Sequence, residues 1–428
     1  MSSLRKLWYL YKLRRNVWLR TEELLKIQEK KLGMIVKHAY DNVAYYHHKF
    51  KSLNLKPSDI KRVEDLQKLP PITKEEIRKN FPEKITAKNI NTNKCKSYFT
   101  SGSTGIPLTV LVDPKANDYR AALFGRAFFE CGLKLRDRTL FVGDSRHFPK
   151  DPYWFQRLGI LQRKYFSAAE PIDQQFPKVV DYSPEAIFAY ASYLFLLAKE
   201  NEKRKAEHLH PRLVFSTAEV LGSGEREIVT SLGGEIFDLY GCVETERLAW
   251  ECNRHEGYHM DIDSSIIEFV KENEAVSAGE EGKMLLTCLY NYAMPLIRYD
   301  IGDIGIPTDA ICSCGRGFPL IKKILGRHDD FITCPNGRMI SPIPIRHAMR
   351  SVPGIMQYKV VQKSRKELEV FVVKDEGFSN RTFEHIREEV GKVVGRDLVI
   401  SPSVVEKIEK EKSGKLRAIV SLIHRNGV

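Results

Sequence analysis

The sequence predicts an α/β protein of two domains, a large N-terminal one built on mixed sheets and a small α+β one at the C-terminus. Three observations carry this. Short apolar runs alternate with amphipathic stretches through the middle of the chain, the texture turns β-rich from residue 264, and the segment from Met356 onward has a strand–strand–helix–strand pattern of its own. The 428 residues allow two or three domains, at about 150 residues each.

Residues 1–50 read as helical, with Leu24, Leu25, Ile27, Leu32, Ile35 and Val36 on roughly one face. Residues 56–82 hold Pro57, Pro70, Pro71 and Pro82 between short helical patches such as Lys74–Lys79, so the helical segment extends to about residue 90. Thr139–Gly143 reads as a strand and Pro184–Glu202 as a helix with Ile187, Tyr190, Leu194 and Leu197 inward. Leu213–Ser216 and Ile236–Leu239 read as short buried strands, followed by strands at Ser265–Val270, Lys283–Leu289 and Leu296–Tyr299. In the small domain, strands are expected at Met356–Gln362, Glu367–Lys374 and Val399–Ile408, with a helix at Thr382–Val394.

Composition narrows the classes. At 43% hydrophobic and 29% charged residues the chain has enough apolar material for a core, which excludes disorder and collagen-like sequence. It has no uninterrupted apolar window long enough for a spanning helix and no secretory leader pattern. Eight cysteines in so long a chain are no disulfide framework, so reduced thiols and a cytoplasmic location are expected. Against 55 acidic residues stand 68 Lys and Arg, a net charge of +13. That excess could attract nucleic acid, a membrane surface or an anionic substrate, and composition does not choose among them. Basic residues from Arg5 to Lys31 interleave with Trp8, Tyr9, Tyr11 and Trp18, a pattern that could lie on an anionic membrane. The preferred reading is an amphipathic first helix that packs its aromatics on the body of the protein.

Five motifs carry chemistry. Thr100–Leu108 (TSGSTGIPL) offers glycines and hydroxyls that can wrap a phosphate, without the Gly-Lys-Ser/Thr of a P-loop. Asp238–Thr245 (DLYGCVET) places a Tyr able to stack on a base four residues before a carboxylate able to hold Mg²⁺. In Ile297–Gly305 (IRYDIGDIG) an Asp between glycines can accept both hydroxyls of a ribose. Leu325–Phe331 (LGRHDDF) reads as a polar hinge beside an Arg suited to ribose or phosphate. Lys412–Arg417 (KSGKLR) can deliver a lysine to an anionic reaction centre. Each alone is an ordinary turn or solvated loop.

Together, in this order and with Ser216–Glu219 (STAE), they resemble the adenylate-forming superfamily of acyl-CoA synthetases, and most closely its phenylacetate–CoA ligase branch with the CapK-like members. The resemblance runs from about residue 20 to about residue 420. It implies an adenylate-forming domain over 1–326, a small mobile domain over 327–428, and a hinge near Asp329. It implies that Ser101, Gly102, Ser103, Thr104 and Gly105 form the ATP phosphate loop, with Thr104 catalytic. Ala218 and Glu219 would line the adenine side, Tyr240 would stack on the base, and Gly241 would border it. Glu244 would hold Mg²⁺, Asp303 the ribose hydroxyls and Arg327 a ribose or phosphate oxygen, and Lys415 would be the catalytic lysine.

The implied reaction is ATP-dependent adenylation of a carboxylic acid, aromatic or another small organic acid, with pyrophosphate release and then transfer to CoA. Thr333–Ser341 replaces the Gly-rich loop that usually follows the hinge, so an amine or hydroxyl acceptor, on a sugar, amino acid or carrier, is the alternative. A basic surface- or nucleic-acid-binding protein on an inactive ligase fold is the different-class alternative, and a homodimer is compatible with the sequence. Finally, Cys252, Cys312 and Cys314 with one histidine would make a closed tetrahedral Zn²⁺ site. Within the resemblance His259 matches a family position better than His255, though the spacing alone leaves both open.

Overall fold

The computed structural model describes residues 2–100, 108–149, 151, 153–204, 209–395, 397–411 and 414–423, with the side chains of His147, Trp154 and Asp329 left aside. The expected phosphate-loop residues Ser101 to Gly105 therefore lie outside the described residues. The chain forms two compact units, one from 1–133 with 239–324 and the other from 134–238 with 325–428.

The first unit opens with helices Ser2–Asn16, Thr21–Asn42 and Ala44–Ser52, followed by 3-10 turns and helix Lys74–Asn80. Thr73 and Glu76 close a capping box at the last of these, each satisfying a backbone N–H the helix leaves open. Helix Pro114–Glu130 starts where Asp113 accepts from the N–H groups of Lys115 and Ala116 and a proline fills the first position. The sheet of this unit runs Glu274–Ala275, Ser265–Lys271, Gly282–Cys288, Tyr299–Pro307, Leu320–Arg327, Tyr258–Met260, Glu246–Glu251, Glu235–Cys242. Its inward residues, among them Leu248, Ile266, Met284, Leu286, Tyr299 and Ile321, join Leu32, Ile35, Val36 and Phe50 of the helices in one buried cluster.

Besides the short pair Ile332–Thr333 and Met339–Ile340, the second unit contributes two larger sets of strands among its described residues. In the first, strands Leu213–Thr217, Ala186–Tyr190, Thr139–Gly143 and Arg163–Ser167 lie side by side in parallel. Helices Ile172–Tyr182, Ala191–Lys203 and Ser223–Val229 connect them or follow them. The second sheet runs Val399–Val404, Glu367–Lys374, Ile355–Ser364, Ile419–Ser421, with an antiparallel centre and parallel flanks. Helices Pro342–Arg350 and Asn380–Val394 supply Ile345, Met349, Ile386 and Val390 to its core.

Three expectations are corrected. Pro184–Glu202 is not one helix: Ala186–Tyr190 is a strand and the helix begins at Ala191. That strand is buried between two parallel neighbours, and a run apolar on both faces has no periodicity to separate it from a helix. The strand expected at Leu296–Tyr299 instead begins at Tyr299 and runs to Pro307, continuing through the motif itself. The aromatics of the first helix do not pack together on the body. Tyr9 is partly covered, its ring 5.1 Å from that of Tyr119, but Trp8, Tyr11 and Trp18 are exposed.

Candidate active site

In the first unit the site is built on the hairpin of strands Glu235–Cys242 and Glu246–Glu251. The register shifts between Tyr240 and Gly241, and the backbones close so tightly that a Cβ on Gly241 would stand 1.9 Å from the Glu246 carbonyl oxygen. Only glycine fits this bulge. The Tyr240 hydroxyl donates to Asp303 Oδ2 at 2.6 Å, which joins two of the expected nucleotide residues across neighbouring motifs. Glu244, buried in the turn, accepts from the Tyr299 hydroxyl at Oε1 over 2.6 Å. A carboxylate buried with one hydroxyl donor keeps its second oxygen for another partner.

Arg120, on helix Pro114–Glu130 and almost wholly buried, holds the backbone of this turn. Its guanidinium donates to the carbonyls of Glu244 at 3.1 Å and Val243 at 3.0 Å, pairs with Glu246 Oε2 at 3.1 Å, and lies 4.3 Å from the Tyr98 ring centre. Burial works against its charge, but Glu246 and the surrounding groups outweigh this and hold it firmly protonated. The conspicuous Arg298 is structural: fully buried, it donates to Glu268, the Leu69 carbonyl and Asn273. On either side of the phosphate motif, strands Lys96–Phe99 and Thr109–Val112 pair antiparallel. Thr100 N–H donates to the Leu108 carbonyl and Leu108 N–H to Thr100 Oγ1, each at 3.0 Å.

In the second unit, Ala218 follows strand Leu213–Thr217 at φ +66°, a strained value for a residue with a Cβ. The next residue, Glu219, turns its carboxylate to Ser192, accepting from its N–H at 2.7 Å and its hydroxyl at 3.1 Å, and also accepts the Leu416 N–H at 2.7 Å. One carboxylate therefore caps helix Ala191–Lys203 and clamps the residue after Lys415. Gly414, at φ +81°, lies where a Cβ would stand 2.8 Å from Ala168, so the lysine loop is pressed close against that segment. Lys415 Nζ sits 5.6 Å from the Tyr190 ring centre. Arg417 forms an ion pair with Asp330, whose carboxyl is raised by burial against the opposing pull of Arg417. Arg327 ends strand Leu320–Arg327 and precedes the turn His328–Asp330. A cavity of about 560 Å³ opens beside the loop, with Glu219, Arg346, Arg350, Tyr358 and Leu416 among its lining.

Sequence reasoning missed Arg120, Tyr299 as the partner of Glu244, and the clamp from Glu219 to Leu416. Tyr299 stood inside a quoted motif, but Arg120 sits in an ordinary helix and carries no local signal.

The first unit also gathers Cys252, His259, Cys312 and Cys314, whose ligand atoms all lie within 4.8 Å of one another. Cys252 Sγ is 3.6 Å from Cys312 Sγ, and Cys314 Sγ is 3.3 Å from His259 Nε2. His259 Nδ1–H donates to the Phe318 carbonyl at 3.2 Å, which fixes the tautomer and leaves Nε2 with its lone pair toward the thiols. Burial lowers the His259 pKa to about 4, so the ring is neutral near pH 7, as a metal ligand must be. His255 is not in the group; its Nδ1 is 3.6 Å from Glu251.

Residues 332–422 match the CapK C-terminal domain. The chain is 28% identical to the phenylacetate–coenzyme A ligase of Escherichia coli (strain K12) over 328 residues, 73% of this chain and 72% of the other. It is 22% identical to protein CapK of Staphylococcus aureus over 413 residues, 94% of this chain and 90% of that one. This chain is a homologue of the phenylacetate–coenzyme A ligases and of CapK. Its fold is that of the adenylate-forming CoA ligases: a 2-hydroxyisobutyryl-CoA ligase crystallised in the postadenylation state with R3-HIB-AMP matches 96% of this chain and 92% of its own, at TM-score 0.78 and 20% identity. The CapK C-terminal domain begins two residues after the turn His328–Asp330 and contains the four-stranded sheet, the lysine loop and Arg417.

Proposed function

We propose that this protein adenylates a small carboxylic acid with ATP and passes the acyl group to CoA. The observation that carries this reading is the pairing of Tyr240 with Asp303 and of Tyr299 with Glu244 at one hairpin, within a homologue of the CoA ligases. In this reading Tyr240 stacks on adenine, with Gly241 keeping the strand close beside it, and Asp303 accepts the ribose hydroxyls. Ser101 to Gly105 wrap the phosphates, with Thr104 nearest the reaction, and Arg327 serves a ribose or phosphate oxygen. The substrate carboxylate oxygen bonds to the α-phosphorus while the bond to the β-phosphate oxygen breaks and pyrophosphate leaves. Lys415 offsets the charge gathering on the α-phosphate. Ala218 borders the adenine, while Glu219 acts as a positioning residue that holds the segment carrying Lys415.

Mg²⁺, when bound, supplies charge neutralisation at the phosphates. Glu244 fits it, since the oxygen not engaged by Tyr299 has no hydrogen-bond donor among the described residues. Cys252, His259, Cys312 and Cys314 fit a structural Zn²⁺, four soft or borderline donors with no open position. The domain boundary falls near residue 327, with Asp329 as the pivot about which the small domain withdraws Lys415 before thiol attack. Among the described residues no helix is long and apolar enough to cross a membrane, in keeping with a cytoplasmic enzyme.

The test is acid-dependent ATP–pyrophosphate exchange across a panel of aromatic and short-chain carboxylic acids. One or more acids should support exchange, and CoA should then yield a thioester with AMP release. Exchange without thioester formation would move the acceptor to an amine or hydroxyl; no exchange with any acid, from folded protein, would overturn the reading.

A further inference from the structure

Helix Ser2–Asn16 contains five basic residues and no acidic one. Its inner face is fastened to helix Pro114–Glu130 and to the turn beyond strand Tyr258–Met260. Ser2 Oγ and Arg5 Nε donate to Asp118 at 2.7 and 2.6 Å, Arg14 Nε to Glu130 at 2.9 Å, and Asn16 Nδ2 to the buried Asp263 at 2.8 Å, while Leu13 is buried. The opposite face is apolar and open. Leu4, Leu7, Trp8 and Tyr11 are 74%, 63%, 56% and 62% exposed, at the i, i+3, i+4, i+7 spacing that makes one helical stripe. Trp18, just past the helix end, is 59% exposed. Beside the stripe stand the exposed Lys12, with Nζ 5.3 Å from the Trp8 ring centre, and Arg15, with its guanidinium 5.8 Å from that of Tyr11. Neither forms an ion pair among the described residues.

We propose that this helix is a membrane-docking element that lies flat in the interface of an anionic lipid bilayer. Leu4, Leu7 and the body of Trp8 would enter the acyl boundary, while Tyr11, Lys12 and Arg15 meet the headgroups. Fifteen residues make a helix about 22 Å long, too short and too basic to span a bilayer but able to lie along its surface. Charge chooses this occupant. A second copy would bring Lys12 and Arg15 of one helix against the same two cations of the other, with no acid on either helix to pair them. A nucleic acid would satisfy Lys12 and Arg15 but would leave Leu4 and Leu7 without an apolar partner. An anionic bilayer answers both halves of the face, and the chain's +13 charge adds attraction at longer range. Because the inner face is pinned by Asp118, Glu130 and Asp263, docking would hold the first unit at a fixed attitude to the membrane.

Vesicle flotation of the full chain tests this, with phosphatidylcholine vesicles against vesicles containing about 30% phosphatidylglycerol. The protein should float with the anionic vesicles, not with the neutral ones, and be released as salt is raised. The double variants Leu7→Glu/Trp8→Glu and Lys12→Glu/Arg15→Glu should each lower the partition coefficient by about tenfold or more. Their circular dichroism and melting temperature should stay at parental values, since the altered side chains are exposed. Parent protein that stays unbound, or variants that float as the parent does, would overturn the proposal. So would variants that convert a dimer to a monomer in sedimentation velocity, or that lose binding to a single-stranded oligonucleotide while the parent ignores vesicles.

Discussion

Lys415 sits on a loop fixed just after it, by the bond from Leu416 N–H to Glu219 and by the pair Arg417–Asp330. Its ammonium, which lies against the Tyr190 ring, takes no part in either anchor, so its removal should cost activity and leave the loop in place. Lys415→Ala should lower ATP–pyrophosphate exchange by about 100-fold or more, the scale of losing one donor to a transition state. The melting temperature should be unchanged, and transfer from synthetic acyl-adenylate to CoA should survive; near-parental exchange would remove Lys415 from the chemistry. Tyr299 acts one residue further back. Tyr299→Phe deletes the hydroxyl that donates to Glu244, a bond to a charged group worth about 1.5–3 kcal/mol. If Glu244 is the metal ligand, the Mg–ATP KM should rise about tenfold or more, with kcat less affected. An unchanged KM would show that Glu244 is held without this bond.

At the scale of elements, Arg126 joins four segments of the first unit. Fully buried, it reaches Asp261 Oδ1 at 2.6 Å and Asp263 Oδ2 at 2.8 Å, and Asp263 also accepts from Asn16. Lys31 Nζ donates to the Asp263 carbonyl, and Tyr119 meets Ser264 at 2.9 Å. Arg126→Met keeps much of the side-chain bulk but strands two buried carboxylates. It should destabilise the protein by about 3–5 kcal/mol, read as a lower urea midpoint; an unchanged midpoint would mean water or protonation relieves the pair. The cysteine–histidine group gathers residues from a neighbouring stretch. Cys252 follows strand Glu246–Glu251, His259 lies on strand Tyr258–Met260, and Cys312 and Cys314 follow the strand that carries Asp303. Protein purified without added metal should contain about one zinc per chain. Cys314→Ser and His259→Ala should each lose zinc and lower the melting temperature, while His255→Ala should do neither. Zinc far below one equivalent, with Cys314→Ser as stable as the parent, would leave four ordinary side chains.

For the whole molecule, the proposed cycle requires one backbone to move between two half-reactions. The turn His328–Asp330 is short, closed by the bond from Phe331 N–H to the His328 carbonyl, and stands at the edge of the CapK C-terminal domain. Asp329→Pro fixes one φ in that turn. Adenylation should persist, while transfer of the acyl group to CoA falls steeply in single-turnover measurements. Equal loss of both steps in folded protein would place the pivot elsewhere.

Much of this was legible in the chain itself, because local sequence dictates local geometry. The strand Thr139–Gly143 and the strand Glu367–Lys374 follow from apolar runs bounded by polar or turn residues. The glycine of the DLYGCVET turn and the order of the six motifs are likewise fixed by residue type and spacing. The three cysteines of the cysteine–histidine cluster were visible too, although that His259 and not His255 joins them needed the strand that turns one ring inward and leaves the other at the surface. What only the tertiary structure decided depends on contacts far apart in sequence. Arg120 reaches a turn more than 120 residues away, and Glu219 meets Leu416 across 197 positions. The apolar strand Ala186–Tyr190 became recognisable only between its parallel neighbours. The first helix shows the same limit: its pattern announced two kinds of face, but periodicity records that side chains differ around a helix, not which of them the rest of the protein will cover.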